Sequence, residues 1–256
     1  MPLLTSYIPE LDSMKSYPQK IFFEGNTELL HKRKISIIGT RKPSKYTREV
    51  LFELSSKLSN AGVCIVSGGA MGCDAIAHQG AKNNTIAVLP NGINIKYPKI
   101  NTNLLQNIQD NALLLSQFEE GFKARPWSFV VRNELVVALG EVLVVAEADL
   151  NSGSMRSVEF AKAMKKEIFV LPHRLKESLA TQKLLQNNEA KAIYDIDAFV
   201  EKFAPQVSQK TQDPFLNYCS SNPTYEEALA KFPSEVFEAE LNGSIVIKNG
   251  KVFLAL

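Results

Sequence analysis

Residues 35–73 read ISIIGTRKPSKYTREVLFELSSKLSNAGVCIVSGGAMGC. Two apolar, β-branched runs, 35–39 and 63–67, flank a segment in which Val50, Leu51, Leu54, Leu58 and Ala61 fall on one helical stripe. Pro43-Ser44 leads into that segment and Gly62 ends it, the punctuation of a helix start and stop. The flanking runs are continuously apolar rather than alternating, which is what strands covered on both faces require. This is strand–helix–strand, and it needs a parallel crossover.

Four more runs of the same kind follow: 85–89 (TIAVL), 113–117 (LLLSQ), 142–146 (VLVVA) and 168–172 (IFVLP). Helical stretches separate them. The repeated alternation predicts an α/β protein with an extended Rossmann-like, doubly wound, mostly parallel sheet. In such sheets ligands bind beyond the carboxyl ends of the strands. Small and polar residues collect at those ends: Gly39-Thr40-Arg41 after the first run, Ser67-Gly68-Gly69 after the second, and Ser152-Gly153-Ser154 after the fifth.

The pattern runs from about residue 31 to 205. Residues 1–30 read as an N-terminal extension and the polar stretch 206–213 as a linker. Residues 214–256 suggest three short helices and a hairpin turning at Asn249-Gly250, a small winged-helix-like domain. A chain of 256 residues suits one large domain or two unequal ones. With 45% hydrophobic and 22% charged residues it is neither a disordered chain nor a coiled coil. No basic leader precedes an apolar run, and none approaches the roughly 20 residues that span a bilayer, so a cytoplasmic protein without a membrane partner is expected.

Net charge is only +2, but residues 31–60 carry eight Lys/Arg against two Glu, either a phosphate-facing surface or a solvated helix face. Residues 214–256 carry three Lys against five Glu. A nicotinamide site would need GxGxxG after the first strand, and a P-loop GxxxxGK[ST]; the chain has neither. Cys64, Cys73 and Cys219 lie at no metal or disulfide spacing, so neither cofactor nor metal is expected. Asp74 and His78, at i and i+4, read as a structural hydrogen-bonded pair. The glycines of 68–72 either allow tight turns or let backbone N–H groups approach an anion.

The stretch FKARPWSFVVRNELVVALG, 122–140, carries the clearest binding signal. Pro126 suits a helix start. Arg125, Ser128, Phe129, Arg132 and Asn133 then share one face, opposite Trp127, Val130, Val131, Leu135 and Ala138, the expected core face. A ring among cations is how proteins hold single strands, although Phe129 could equally be a core residue.

Together IIGTRKPS (37–44), VSGGAMGCDAIAHQGA (66–81), IAVLPNGINIKYP (86–98), FVVRNELVVALGEVLVVAEA (129–148) and SGSMRSVEFAKAMKKEIFVLP (152–172) resemble the DNA-processing protein A (DprA/Smf) family. The resemblance implies a non-enzymatic protein that binds single-stranded DNA, protects it and helps load the recombinase RecA in natural transformation, working as a homodimer. It leaves double-stranded DNA open as a further ligand. It implies that Arg41, with Gly39 and Thr40, holds phosphate. Ser67, Gly68 and Gly69 line the same pocket, Phe129 stacks on a base beside Arg132 and Asn133, and Ser152, Gly153 and Ser154 form a second loop. Some members carry lysine where Pro126 stands, so Arg125 or Lys123 is expected to take that contact. Ser128, Lys162 and Lys166 complete the expected contact set. The competing reading is a nucleotide phosphoribohydrolase-like Rossmann enzyme using Glu159, but the required PGGxGTxxE reads SGSMRSVE here.

Overall fold

In a computed structural model the chain is described at residues 2–204, 214–219, 221–241, 243–248 and 250–254. It divides into two compact units, Met1–Pro205 and Gln206–Leu256. The expected linker, 206–213, lies outside the described residues, as does Asn249 of the expected turn.

The first unit holds the doubly wound sheet. Its strands are β1 (Phe22–Gly25), β2 (Lys34–Ile38), β3 (Cys64–Ser67), β4 (Thr85–Leu89), β5 (Leu113–Ser116), β6 (Leu143–Val145), β7 (Ile168–Val170) and β8 (Lys191–Ala192). Their order is β1-β5-β4-β3-β2-β6-β7-β8. All neighbours are parallel except β1 on β5. The six apolar runs are the six central strands, and every residue of β2 to β7 is buried.

One face is covered by α1 (Lys45–Asn60), α2 (Cys73–Ala81) and α7 (Ile196–Phe203), where Ile35, Ile37 and Ile65 meet Leu51, Leu54, Leu58 and Phe203. The other is covered by α3 (Thr102–Asn111), α4 (Pro126–Leu139), α5 (Gly153–Ala163) and α6 (Leu179–Gln186), where Ile38, Val66 and Val88 meet Leu105, Leu135 and Val158. Ser44 caps α1, accepting from the Thr47 amide at 3.2 Å.

Residues 1–30 are not an appendage. β1 pairs antiparallel with β5, Ile8 and Leu11 are buried in the core, and the buried ammonium of Lys34 lies 2.5 Å from Glu10. Phe22-Phe23 was too short a run to stand out as a strand. β8 pairs only two residues and left no pattern.

The described residues of the second unit form three helices, α8 (Pro214–Cys219), α9 (Tyr225–Lys231) and α10 (Pro233–Leu241), and an antiparallel hairpin of β9 (Ile245–Lys248) and β10 (Lys251–Leu254). Phe215, Ala228, Val236, Ile245 and Val252 form its core. Among the described residues no helix is long and apolar enough to cross a membrane.

Candidate functional site

The strand order reverses between β2 and β6, because β3 lies to one side of β2 and β6 to the other. The loops leaving those two strands therefore diverge over opposite faces, and a crevice opens between them. A cleft of about 520 Å³ occupies that place. Gly39, Thr40, Arg41 and Lys42 line it from the β2 loop, Glu147, Asp149 and Ser152–Ser154 from the β6 side, and Phe129, Arg132 and Asn133 from α4.

Arg41 and Phe129 form one wall. The exposed Arg41 guanidinium carbon sits 5.7 Å from the centroid of the half-buried Phe129 ring, a cation–π arrangement. Tyr97 meets the same ring edge-on at 6.1 Å. Beyond this wall an apolar notch is bounded by Met71, Pro90, Tyr97 and Pro98. Arg41 and Phe129 line both spaces, so the ring and the guanidinium are shared between them.

Beneath the wall lies a buried ion pair. The Arg132 side chain, 6% exposed, points its Nη1 at Asp74 Oδ2, 3.8 Å away. It also donates to the carbonyls of Gly68 and Val88, the latter at 3.3 Å. Burial pushes the Asp74 carboxyl upward, opposed by the charge of Arg132 and by the Ala70 amide, which donates to it. Burial also lowers the Arg132 guanidinium, and the charge of Arg41 adds to that. A Cβ on Gly68 would sit 1.5 Å from Arg132 Nη1, so only glycine fits above the pair. Gly72, at φ +77°, lets the next turn press against Thr40, whose carbonyl accepts from the Cys73 amide at 3.1 Å. The loops after β2 and β3 are thus joined.

Opposite, Ser152 and Gly153 open α5, whose first amides have no side-chain cap. The Ser152 hydroxyl is buried and lacks a hydrogen-bond partner among the described residues. Such a helix start favours an anion. Glu147 is held away from that role: it accepts from Thr47 Oγ1 at 2.5 Å and from the Ser44 amide at 3.0 Å, and those bonds lower its carboxyl against the pull of burial.

A family model described as DNA recombination-mediator protein A matches residues 3–204. The chain belongs to that family. It is 33% identical over 211 residues to DNA processing protein DprA of Bacillus subtilis, covering 80% of this chain and 70% of that one. It is 33% identical over 174 residues to DprA of Streptococcus pneumoniae, covering 67% and 61%. Among solved structures, the DNA processing protein A of Helicobacter pylori, studied for its single-stranded DNA binding mode, matches with a TM-score of 0.77 at 39% identity, covering 78% of this chain and 94% of that one. DprA of Streptococcus pneumoniae matches with a TM-score of 0.72 at 31% identity, covering 77% and 71%.

Within this family fold the sequence-derived site divides in two. Gly39, Thr40, Arg41, Gly68, Phe129, Arg132, Asn133 and Ser152–Ser154 line the cleft or its notch, Arg132 from its floor. Others sit beneath it or elsewhere. Ser67 is fully buried and gives its hydroxyl to the Ile37 carbonyl at 2.6 Å, a strand-to-strand tie. Gly69 is buried, and its carbonyl accepts from Asn101 Nδ2 at 3.0 Å. Ser128 is buried and closes the start of α4, accepting from the Arg125 amide at 2.9 Å and donating to its carbonyl at 2.8 Å. Arg125 itself is exposed at the N-cap, one turn before Phe129.

Lys162 and Lys166 are not in the cleft. Lys162 pairs with Glu189 at 2.7 Å. Lys166 caps the far end of α4, donating to the carbonyls of Val137, Ala138 and Gly140, and burial pulls its amine down to about 8. Asp74 and His78 do not bond each other: His78 Nδ1 meets Thr85 Oγ1 at 2.7 Å.

The first two turns of α4 also face differently from the sequence reading. Ser128 and Arg132 are buried, while Trp127 and Val130 are exposed. Helical periodicity identifies a face but not its direction where a buried arginine replaces an apolar core residue. Tyr97 and Met71 were missed as site residues. An aromatic after the PNG turn, at the carboxyl end of β4, was the available signal for Tyr97.

Proposed function

We propose that the chain binds single-stranded DNA in the switch-point cleft, protects it, and helps load the recombinase RecA in natural transformation. The observation that carries this reading is the Arg41–Phe129 wall, a cation and a half-exposed ring facing both an anion-suited cleft and an apolar notch. A base stacked on Phe129 in the notch leaves its phosphate toward Arg41 and the start of α5. The Helicobacter pylori relative, studied in its single-stranded DNA binding mode, supports the choice of ligand. A stack and a phosphate grip read no base edge, so binding is largely independent of sequence.

The role is one of binding rather than catalysis. Glu159, which the phosphoribohydrolase alternative needs beside a nucleotide, is exposed on α5 and pairs with Arg156 at 2.6 Å. We further propose a cytoplasmic homodimer, in which two linked cleft sites hold one strand, since the second contact then becomes intramolecular. A salt-titrated binding curve with oligo-dT, with a duplex of equal length as competitor, tests the ligand. Preference for the single strand with falling affinity at higher salt is expected, and preference for the duplex or absence of binding overturns the reading. Light scattering tests the dimer.

A further inference from the structure

Trp127, the only tryptophan in the chain, is 51% exposed. It is nonetheless held firmly. Phe118 and Phe122 stack face to face at 4.6 Å and 12°, and the indole packs edge-on against both at 5.6 Å. A half-exposed indole fixed by two buried or partly buried rings has lost its rotamer freedom already, so a flat ligand would dock without ordering it.

The platform shares its helix and a neighbouring loop with the cleft already described. Trp127 and Phe129 lie on the first turn of one helix, at the carboxyl edge of the sheet. The Phe122 carbonyl accepts from the Gly92 amide at 3.0 Å. That bond ties the Phe118–Phe122 pair to the loop after β4, whose Pro90, Tyr97 and Pro98 bound the Phe129 notch. Two cations precede the indole in the chain: Lys123 and Arg125 are both exposed, and among the described residues neither is in an ion pair. Of the two nearby acids, Glu119 is engaged by Lys20 at 2.8 Å. A half-exposed ring on a segment that carries unpaired cations, on the same helix as the ring of the Arg41–Phe129 wall, suits the alternation of base and phosphate along a strand.

We propose that Trp127, preceded in the chain by Lys123 and Arg125, is a second base-stacking platform that extends the single-strand track beyond the Phe129 notch. Only strands longer than the notch can hold would reach it. This inference rests on the single-strand reading of the cleft, and its test separates the two.

Oligo-dT of about 4 and about 20 nucleotides is titrated into the 256-residue chain while tryptophan emission is followed. Because Trp127 is the sole source of that emission, no variant is needed for this arm. The longer strand quenches it and the shorter one does not. In parallel, labelled-strand anisotropy is measured for Phe129→Ala, Trp127→Ala and Trp127→Phe, each checked by thermal unfolding. Phe129→Ala weakens both lengths, Trp127→Ala weakens only the longer, by about five- to 150-fold, and Trp127→Phe restores most of that loss.

If Phe129→Ala weakens both lengths while emission stays unchanged and Trp127→Ala binds the long strand normally, the second platform is overturned and the cleft reading stands. If Phe129→Ala binds normally, the cleft reading fails. If Trp127→Ala instead lowers the mass in light scattering with unaltered strand affinity per subunit, the indole is a protein contact and the inference is overturned.

Discussion

The Arg132 guanidinium reaches Asp74 at 3.8 Å across the floor of the cleft, and both side chains are withdrawn from water. The pair supports the Gly68 loop from below. Breaking a buried pair by removing one partner costs about 3–5 kcal/mol, because the other charge is left uncompensated. Asp74→Asn strands an arginine that cannot shed its proton. Arg132→Met strands a carboxyl that can take one up, and burial already pushes Asp74 in that direction. Urea unfolding at pH 8 and pH 5 should therefore show Arg132→Met recovering relative to wild type as pH falls, while Asp74→Asn stays destabilised at both.

His78 gives the first unit an acid-sensitive element. Thr85 donates its one hydroxyl proton to the Ile65 carbonyl at 2.7 Å, so it accepts from His78 Nδ1–H. Nε2 is then bare, buried and without a partner among the described residues. Burial, with the charge of Arg132 adding, pulls the imidazole down to about 3 from its ordinary 6.5. The folded state thus resists a proton that the unfolded state accepts below about pH 6.5. This contribution is fully present above that value and lost as pH falls toward 3, with a slope of up to about 1.4 kcal/mol per pH unit. His78→Asn keeps a donor for Thr85 but cannot titrate, so its unfolding free energy should fall less steeply between pH 6.5 and 4.

Arg41 differs from Arg132 in being exposed at the cleft wall. A phosphate contact there releases a counterion, so Arg41→Ala should weaken oligo-dT binding and flatten the log–log salt dependence by about 0.7. Thermal stability should change little, because among the described residues this guanidinium makes no hydrogen bond and its cation–π contact with Phe129 is at an exposed site. An unaltered slope would remove Arg41 from the phosphate contacts.

Phe129→Ala removes a stacking surface but no charge. It should cost about 1–3 kcal/mol in binding at every salt concentration, leaving the slope as it was. The ring also packs on Tyr97, so an unfolding curve accompanies the measurement. Normal affinity in the folded protein, with lost stability, would make Phe129 a core residue.

Most of the sheet was legible in the sequence for one reason. Strands covered on both faces are apolar throughout, and β2 to β7 all are. β1 and β8 lie at the edges, where one short run or two residues suffice, and so they left no pattern. The cleft was legible where glycine and arginine follow a strand, as at Gly39–Arg41. It was illegible where a polar group turns inward. Ser67, Ser128 and Arg132 look alike to a periodicity argument whether they meet a ligand or a backbone carbonyl; here Ser67 meets Ile37, Ser128 meets Arg125 and Arg132 meets Gly68. Trp127 erred in the opposite direction, because a large apolar ring reads as core even when half of it faces water.

The acidic second unit yields the last prediction. In a winged helix that grips nucleic acid, the recognition helix carries lysine or arginine toward phosphate. The corresponding helix here, α10, carries Glu235, Glu238 and Glu240 and no basic residue. A strand approaching it would meet like charge, so this helix should contribute nothing to affinity. The triple variant Glu235→Gln, Glu238→Gln, Glu240→Gln in the full chain removes that charge without shortening any side chain, and Val236 and Ala239, which face the small core, are untouched. Its oligo-dT affinity should stay within about twofold of wild type at moderate salt, where screening already confines charge effects to about 8–10 Å. Its salt slope should be the same. A loss of affinity would assign α10 a direct part in holding the strand. A large gain confined to low salt would mean that the acidic helix repels DNA from the cleft, and would give the second unit a regulatory charge.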